Sequence, residues 1–125
     1  MSAMQLYGLK NCSTCVKAMR WLEQHGIVFS FTDYRDHPIA AAQLTEWAAA
    51  LGGWEKLINR ASMTWRNLPD DRKAPSSDQQ WLALAEEFPT LIKRPVAVVP
   101  GGVSVGYSEK KYTELFVGRI SAVGA

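Results

Sequence analysis

Cys12 and Cys15 are the only two cysteines of the chain and its strongest candidates for chemistry. The apolar stretch Leu6-Tyr7-Gly8-Leu9 precedes them, and a helical pattern follows at once. A thiolate is the nucleophile in thiol–disulfide exchange, and a helix N-terminus stabilises it through unpaired N–H groups and the positive end of the helix dipole. This C-x-x-C therefore predicts a redox site in which Cys12 attacks and Cys15, one turn further on, resolves a mixed disulfide.

Three other roles for these cysteines compete with redox chemistry. A zinc site needs two more ligands, and the spacing of His25 and His37 fits no finger or ribbon pattern, so no metal site is predicted. A purely structural disulfide belongs to oxidising compartments, of which the sequence carries no sign. Cys15 also begins an apolar helical stripe with Met19 and Leu22, so an inert, buried Cys15 beside a reactive Cys12 stays an alternative.

Length and composition predict one globular domain with a core of ordinary size. Apolar residues make up 47% of the 125 residues, and the net charge of +2 is too small to predict binding to nucleic acid or membranes by bulk electrostatics. Residues 1–4 lack the basic and apolar segments of a signal peptide, and no run of about 18 apolar residues predicts a membrane span. We expect a cytoplasmic monomer that contacts neither nucleic acid nor membrane directly.

The hydrophobic pattern predicts the order β-α-β, a helical block, and β-β-α. Strands are expected over 5–9, 27–34, 96–99 and 103–106, and helices over 13–25, from 36–38 to 51, over 54–58, from 77 to 88 and after Ser108. Residues 59–77 are expected to form loops with at most one short helical turn. Asn11 and Ser13 are residue types that cap helices, and residues 100–102 predict a tight turn.

This order of elements is the signature of a thioredoxin-like α/β fold with a four-stranded mixed sheet and a helical insertion. The opening strand, helix and strand predict a right-handed crossover and a parallel pair. The apolar strand at 96–99 is of the kind that is buried on both faces. We expect a single domain over 1–118, with the insertion at about 38–92, and a flexible tail over 119–125.

Four stretches that fall in the same order resemble the ArsC/Spx family of thioredoxin-fold proteins. They are the cysteine motif at 11–15, Leu57-Ile58-Asn59-Arg60, Ile92-Lys93-Arg94-Pro95-Val96 and Val105-Gly106-Tyr107. Asn59-Arg60-Ala61 and Thr64-Trp65-Arg66 make the YffB-type branch the nearest one. The resemblance covers about residues 4–116, and it implies an arsenate reductase-like (ArsC-like) version of the thioredoxin fold.

The resemblance also implies roles for individual residues. Cys12 is the expected nucleophile, Arg60 and Arg94 are expected to bind an anionic group, and Pro95 is expected to be cis and to face Cys12. Guanidinium groups suit oxyanions and carboxylates, and they would lower the pKa of a nearby thiol. The predicted site is completed by a lysine with a possible electrostatic role and by residues at the helix start: Lys10, Asn11, Ser13 and Thr14. Without the resemblance, the two arginines are typical surface residues, and Lys10 is equally well read as an exposed loop lysine.

For function, the resemblance implies a glutathione-dependent thiol–disulfide oxidoreductase with no bound cofactor and with glutathione as co-substrate. The family's glutathione-coupled arsenate reductases carry a third arginine, in an Arg-Pro pair after the hairpin turn, where this chain has Val105-Gly106-Tyr107. This difference argues against reduction of arsenate itself. The Spx branch implies an alternative, a transcription regulator that binds RNA polymerase and uses C-x-x-C as a redox switch. Whether the substrate is a small thiol, a protein thiol or an oxyanion stays open.

Overall fold

Four strands form a single mixed sheet in the computed structural model, which describes residues 4–99 and 102–117. They are β1 (Met4–Gly8), β2 (Phe29–Asp33), β3 (Val96–Val99) and β4 (Gly102–Val105), in the spatial order β2-β1-β3-β4. Strand β1 runs parallel to β2 and antiparallel to β3, and β3 runs antiparallel to β4. The predicted four-stranded mixed sheet and its parallel first pair are therefore confirmed, and the fold is thioredoxin-like.

The helices divide into a crossover, a block and a C-terminal element. Helix α1 (Ser13–Gln24) connects β1 to β2, and α6 (Glu109–Tyr112) follows β4 and continues into a π-helical turn at Thr113–Val117. Between β2 and β3 lie α2 (Ala41–Leu51), α3 (Trp54–Leu57), α4 (Met63–Arg66) and α5 (Asp78–Glu87), with 3-10 turns at Asp70–Arg72 and Pro89–Leu91. Within the described residues, no helix is both long and apolar enough to cross a membrane.

Two apolar clusters cover the two faces of the sheet. Successive strand side chains point to opposite faces, so Val96 joins the cluster formed with α2 to α5, whereas Ala97 joins the cluster formed with α1 and α6. Both residues are completely buried, which confirms that β3 is covered on both sides. The helical block thus lies on one face, and the helix that carries the cysteines lies on the other.

Helix α2 begins later than its sequence signals suggest. The prediction placed its start at residues 36–38, but its first residue is Ala41, and Ala40 occupies the N-cap without a side-chain cap. The backbone N–H groups of Asp36 and His37 both donate to the carbonyl of Asp33, so the chain forms a turn here. Pro38 was wrongly interpreted as a helix-start residue. The fixed φ of proline is compatible with a turn as well as with the first position of a helix.

The segment 59–77 is also more helical than predicted, because it contains α4 as well as the 3-10 turn at Asp70–Arg72. Ser62 caps α4 by accepting a hydrogen bond from the backbone N–H of Trp65. A helix of four residues is too short to show a hydrophobic period, which explains why the pattern missed it. The turn predicted at 100–102 and the tail predicted at 119–125 fall wholly or partly outside the described residues.

Candidate functional site

The site begins where the chain leaves β1 and enters α1. Cys12 itself is the N-cap of α1, with extended backbone angles (φ −85°, ψ 123°), and no side chain caps the helix. The expectation that Asn11 or Ser13 provides the cap is therefore wrong. Because the position is held by a cysteine, the free N–H groups of the first turn face its sulfur instead of a hydroxyl or amide oxygen.

The pKa of the Cys12 thiol lies below its ordinary value. Partial burial raises this pKa, but hydrogen bonds from the backbone N–H of Cys15, the Arg94 side chain, the Cys15 thiol and the backbone N–H of Thr14 together lower it by more. Cys12 is half-buried and lines the surface cleft described below. A stabilised thiolate that remains accessible is the state required of a nucleophile in thiol exchange.

Cys15 lies beneath Cys12 in the core and has the opposite properties. It is completely buried, and burial together with the negative charge of a Cys12 thiolate raises its pKa to about 11. The closest neighbour on the strand side is Gly8, where a Cβ atom would lie 2.5 Å from the Cys15 sulfur. The two thiols are close enough to influence each other's pKa, and the arrangement is compatible with a resolving thiol as well as with a buried donor to Cys12.

Arg94 reaches the site from the start of β3. The peptide bond between Arg94 and Pro95 is cis, as predicted, and Pro95 is buried. The Arg94 Nη1 atom donates to the carbonyl of Thr90 at 3.1 Å, and the guanidinium also interacts with the Cys12 thiol and the Tyr34 hydroxyl. Burial lowers the pKa of Arg94, but these two partners raise it by more, so its charge is retained beside the Cys12 thiol.

Cys12 opens into a cleft with two lobes. The larger lobe, about 580 Å³, is lined by Leu9, Lys10, Asn11, Cys12, Ser13, Asp33, Arg35, Asp36, Asn59, Ser62, Thr64, Thr90 and Arg94. The smaller lobe, about 290 Å³, is lined by Cys12, Thr14, Asn59, Thr90, Ile92, Lys93, Arg94 and Gly106. Cys12 and Arg94 line both lobes, so a ligand in either one meets them.

The two lobes differ in charge. In the larger lobe, the Lys10 Nζ atom pairs with an Asp36 carboxylate oxygen at 3.4 Å, and the Lys10 backbone N–H donates to Asp33 at 3.0 Å. The side chain of Lys10 is therefore committed to a carboxylate. In the smaller lobe, the pKa of Lys93 is lowered by burial and by the positive charges of Lys111, Lys56 and Arg60. The smaller lobe is thus the more electropositive one.

Only some of the predicted site residues lie together in the cleft. The structure places most of them in the cleft lining: Lys10, Asn11, Cys12, Ser13, Thr14 and Arg94. Arg60 is exposed and is not part of that lining, and it acts on the site only through its charge near Lys93. Pro95 is buried in the core rather than exposed in the cleft. The substrate-binding roles of these residues stay predictions.

Several cleft residues were missed by the sequence argument. Asn59 lines both lobes, and because its Oδ1 atom accepts from the backbone N–H of Ala61, its amide nitrogen is left to donate into the cleft. Asp33 is the last residue of β2 and Asp36 lies just after it, where the carboxyl end of β2 meets that of β1 at one edge of the sheet. That rule for parallel strands could have located the two aspartates, whereas no sequence signal distinguishes Thr90.

The described residues contain no group of three or more His, Cys, Asp or Glu side chains that could hold a metal ion. His25 stacks on Trp21 with ring centroids 3.8 Å apart, and its Nδ1 atom is 2.8 Å from the Trp21 carbonyl oxygen. His37 is exposed on the turn before α2. The two histidines thus have structural surroundings that do not involve the cysteines.

Comparison with known proteins places this site in a family. The sequence profile of the ArsC family matches residues 7–115. The chain belongs to the ArsC family. A solved structure of the YFFB protein is 35% identical, covers 90% of this chain and 97% of its own, and superposes with a TM-score of 0.81. An arsenate reductase (ArsC) related protein from Brucella melitensis is 36% identical, covers 92% of this chain and 95% of its own, and has a TM-score of 0.73.

The ArsC-family chain is also similar to a regulator. The global transcriptional regulator Spx of Listeria innocua is 27% identical over 116 residues, which cover 92% of this chain and 88% of Spx. The predicted resemblance to ArsC, YffB and Spx proteins is therefore confirmed. At this level, the protein is an ArsC-family member with a thioredoxin-like fold, and its arsenate reductase-like neighbours indicate thiol oxidoreductase chemistry.

Proposed function

We propose that this ArsC-family protein is a glutathione-dependent thiol–disulfide oxidoreductase with Cys12 as its nucleophile. The observation that carries the proposal is the environment of the Cys12 thiol, which lies at the N-cap of α1, lines an open cleft and has a lowered pKa. The family membership supports it, because the solved relatives include an arsenate reductase related protein. A thiolate of this kind is both a good nucleophile and a good leaving group.

The reaction has two exchanges that balance. The Cys12 thiolate attacks the glutathione sulfur of a mixed disulfide, the bond between the two sulfurs breaks, and the substrate thiolate leaves and takes up a proton. A second glutathione, as its thiolate, then attacks the glutathione sulfur now bound to Cys12. The disulfide of oxidised glutathione forms as the bond between Cys12 and glutathione breaks, and Cys12 returns to the thiolate state. The net change is reduction of one mixed disulfide by one glutathione.

The charges of the cleft support glutathione as the co-substrate. Glutathione carries two carboxylates, and the smaller lobe offers Arg94 and Lys93 within an electropositive rim. Guanidinium and ammonium groups bind carboxylates through charge-assisted hydrogen bonds. The amide nitrogen of Asn59 adds a neutral donor at the boundary of the two lobes.

The test is turnover of a glutathionylated peptide by reduced glutathione, followed through the oxidised glutathione released. We expect activity in the wild-type protein, loss of it in Cys12→Ser, and retention of a Cys12–glutathione adduct in Cys15→Ser. A parallel NMR titration with glutathione should shift amides near Cys12 and Arg94, and these shifts should disappear in Arg94→Ala. Absence of a glutathione adduct on Cys12 in both the wild type and Cys15→Ser would contradict the proposal.

A redox-switched regulator is the second candidate, favoured by the mutual influence of the Cys12 and Cys15 thiols on their pKa values and by the similarity to Spx. In this function, an oxidant such as diamide takes two electrons from the two thiols, and a Cys12–Cys15 disulfide forms. The partner would be RNA polymerase. Diamide treatment that yields this disulfide, and with it a change in RNA polymerase binding absent from Cys15→Ser, would favour regulation over glutathione-linked turnover.

A further inference from the structure

The side chain of Lys111, on α6, returns to the end of β4. Its Nζ atom donates to the backbone carbonyl of Val105 at 2.7 Å. A Cβ atom on Gly106 would lie 3.7 Å from the same nitrogen, so the ammonium group flanks this glycine. Gly106 is one of the residues that line the smaller lobe together with Cys12. The Lys111 ammonium group therefore lies at the rim of that lobe.

The pairing of β3 with β4 brings this ammonium group close to the segment that carries Arg94. Its hydrogen-bond acceptor, Val105, is paired with Val96. The backbone N–H of Gly106 donates to the carbonyl of Pro95 at 2.9 Å, and Pro95 directly follows Arg94 in the chain. The ammonium group and the arginine segment thus lie at the same end of this strand pair.

No carboxylate lies within ion-pair distance of Lys111 in the part of the chain that the structure describes. Among the described residues, the lining of the smaller lobe also contains neither Asp nor Glu. Burial and, after it, the positive charge of Lys111 lower the pKa of Lys93 in that lining. A carbonyl oxygen orients an ammonium group but leaves its net charge unchanged. Lys111 therefore keeps a full positive charge at the rim.

We propose that Lys111 binds a carboxylate of the thiol substrate, and that it completes a cationic rim with Lys93 and Arg94 around the smaller lobe. Several cations without a carboxylate partner suit a ligand with more than one negative group, and glutathione has two carboxylates. The Val105 carbonyl holds the ammonium group in advance, so less side-chain entropy is lost when a carboxylate binds. This inference deepens the proposed function and rests on it for the identity of the substrate.

The first experiment probes the charge of Lys111 without glutathione. Iodoacetate carries a carboxylate and iodoacetamide does not, and both alkylate a thiolate. The ratio of their rates at Cys12 therefore reports the electrostatic potential beside the thiol and cancels changes in thiol reactivity. At low salt, we expect Lys111→Met to lower this ratio by roughly two- to fivefold, the scale of one nearby charge in water. Lys111→Arg should retain the ratio, because it keeps the charge.

Lys110→Met is the matched control, because it removes the same charge from the neighbouring exposed lysine of α6. Within the described residues, the Lys110 side chain makes no hydrogen bond to β4, unlike that of Lys111. The control should lower the ratio by less than about 1.5-fold, because solvent and salt screen its charge. An unchanged ratio in Lys111→Met, or equal falls in the two variants, would overturn the proposal.

The second experiment identifies the carboxylate that Lys111 binds. Glutathione is compared by isothermal titration with two analogues that each lack one carboxylate: the ethyl ester of its glycine, and a peptide with aminobutyrate in place of the γ-glutamyl residue. Lys111→Met should weaken glutathione binding by roughly three- to tenfold and should not weaken the analogue that lacks the bound carboxylate. Equal weakening of all three ligands would overturn the proposal. If the wild type binds none of them, the glutathione-dependent function fails, and the alkylation ratio still tests Lys111.

Discussion

On the cleft side of the first turn of α1, the Cys12 thiol meets backbone N–H groups and the Arg94 guanidinium, and its pKa is lowered. On the core side of the same turn, the Cys15 thiol lies against Gly8 with no exposed surface, and its pKa is raised to about 11. The two groups are chemically identical and three residues apart. The difference shows that reactivity here is decided by solvation and by neighbouring donors, because burial penalises a thiolate that lacks compensating charge.

The largest expected effect is on alkylation at neutral pH. With a pKa of about 11, Cys15 is ionised in only about one molecule in 10⁴ at pH 7. Cys12→Ser should therefore abolish rapid iodoacetamide labelling, measured by mass spectrometry over time. The matched variant, Cys15→Ser, should keep a rapidly labelled Cys12. Rapid labelling in Cys12→Ser would mean that the two thiols do not differ as described.

The packing of Cys15 against β1 on the core side can be disrupted separately by a substitution at Gly8. A Cβ at this position would lie 2.5 Å from the Cys15 sulfur, so Gly8→Ala should lower the free energy of unfolding by ~1–3 kcal/mol through overpacking. Gly102→Ala is the control, because a Cβ there meets no atom within 4 Å. Urea unfolding of both variants measures the difference. Equal stabilities would show that the strand and α1 can separate at no cost.

On the cleft side, anion binding can be tested at the two predicted arginines, Arg60 and Arg94. The structure places only Arg94 in the cleft lining. Arg94 lines both lobes of the cleft together with Cys12, whereas Arg60 is exposed and outside the cleft lining. Arg94→Ala should weaken glutathione binding by roughly tenfold, the value of a charge-assisted hydrogen bond. Arg60→Ala should weaken it by less than about threefold, because salt screens an exposed charge. Isothermal titration at fixed salt compares the two, and equal losses would return Arg60 to the binding site.

Opposite pH dependences should follow from the opposite pKa shifts. Cys15 has a raised pKa in the folded state, so its contribution to stability is complete below the ordinary value of 9.0 and is lost as the pH rises towards about 11. Cys12 has a lowered pKa, so its contribution is present above 9.0 and is lost as the pH falls through the folded value.

Urea unfolding between pH 6 and pH 11 tests these signs. Cys15→Ser should reduce the loss of stability that we expect of the wild type above pH 9. Cys12→Ser should remove the gain of stability that accompanies ionisation of Cys12. An unchanged alkaline loss in Cys15→Ser would assign that loss to other groups.

The smallest expected effect is that of Lys10. Its ion pair with Asp36 is exposed, with a separation of 3.4 Å, and such pairs contribute about 0–1 kcal/mol. Lys10→Ala should therefore change neither the unfolding free energy by more than ~1 kcal/mol nor the alkylation rate of Cys12 by more than about twofold. A large fall in that rate would show that the lysine charge reaches the thiol despite its carboxylate partner.

Local signals explain which parts of the fold were predictable. The strand at 96–99 is an unbroken apolar run, and its boundaries as predicted are those of β3. Gly26 ends α1 with a positive φ of 67°, which glycine adopts without strain. Prediction failed at two places. The turn at 36–38 contains residue types that also start helices, and α4 is too short to show a hydrophobic period.

The sequence by itself determined the position of Cys12 at a helix start and the cis bond at Pro95. C-x-x-C after an apolar strand places Cys12 at a helix start, and the Arg94-Pro95 pair in its family register predicted the cis bond that the structure contains. These features are local, because backbone conformation and helix dipole depend on residues within a turn of one another.

Only the tertiary structure decided what surrounds the Cys12 thiol. Lys10 meets Asp36 across 26 positions, and Tyr34 meets Ile92 across 58, so no spacing along the chain could reveal either contact. The same packing excludes Arg60 from the cleft lining and includes Asn59, its neighbour in the chain. Side chains of adjacent residues face different surroundings once the backbone is packed, and that is why the residues of the site follow from the fold and not from the motif alone.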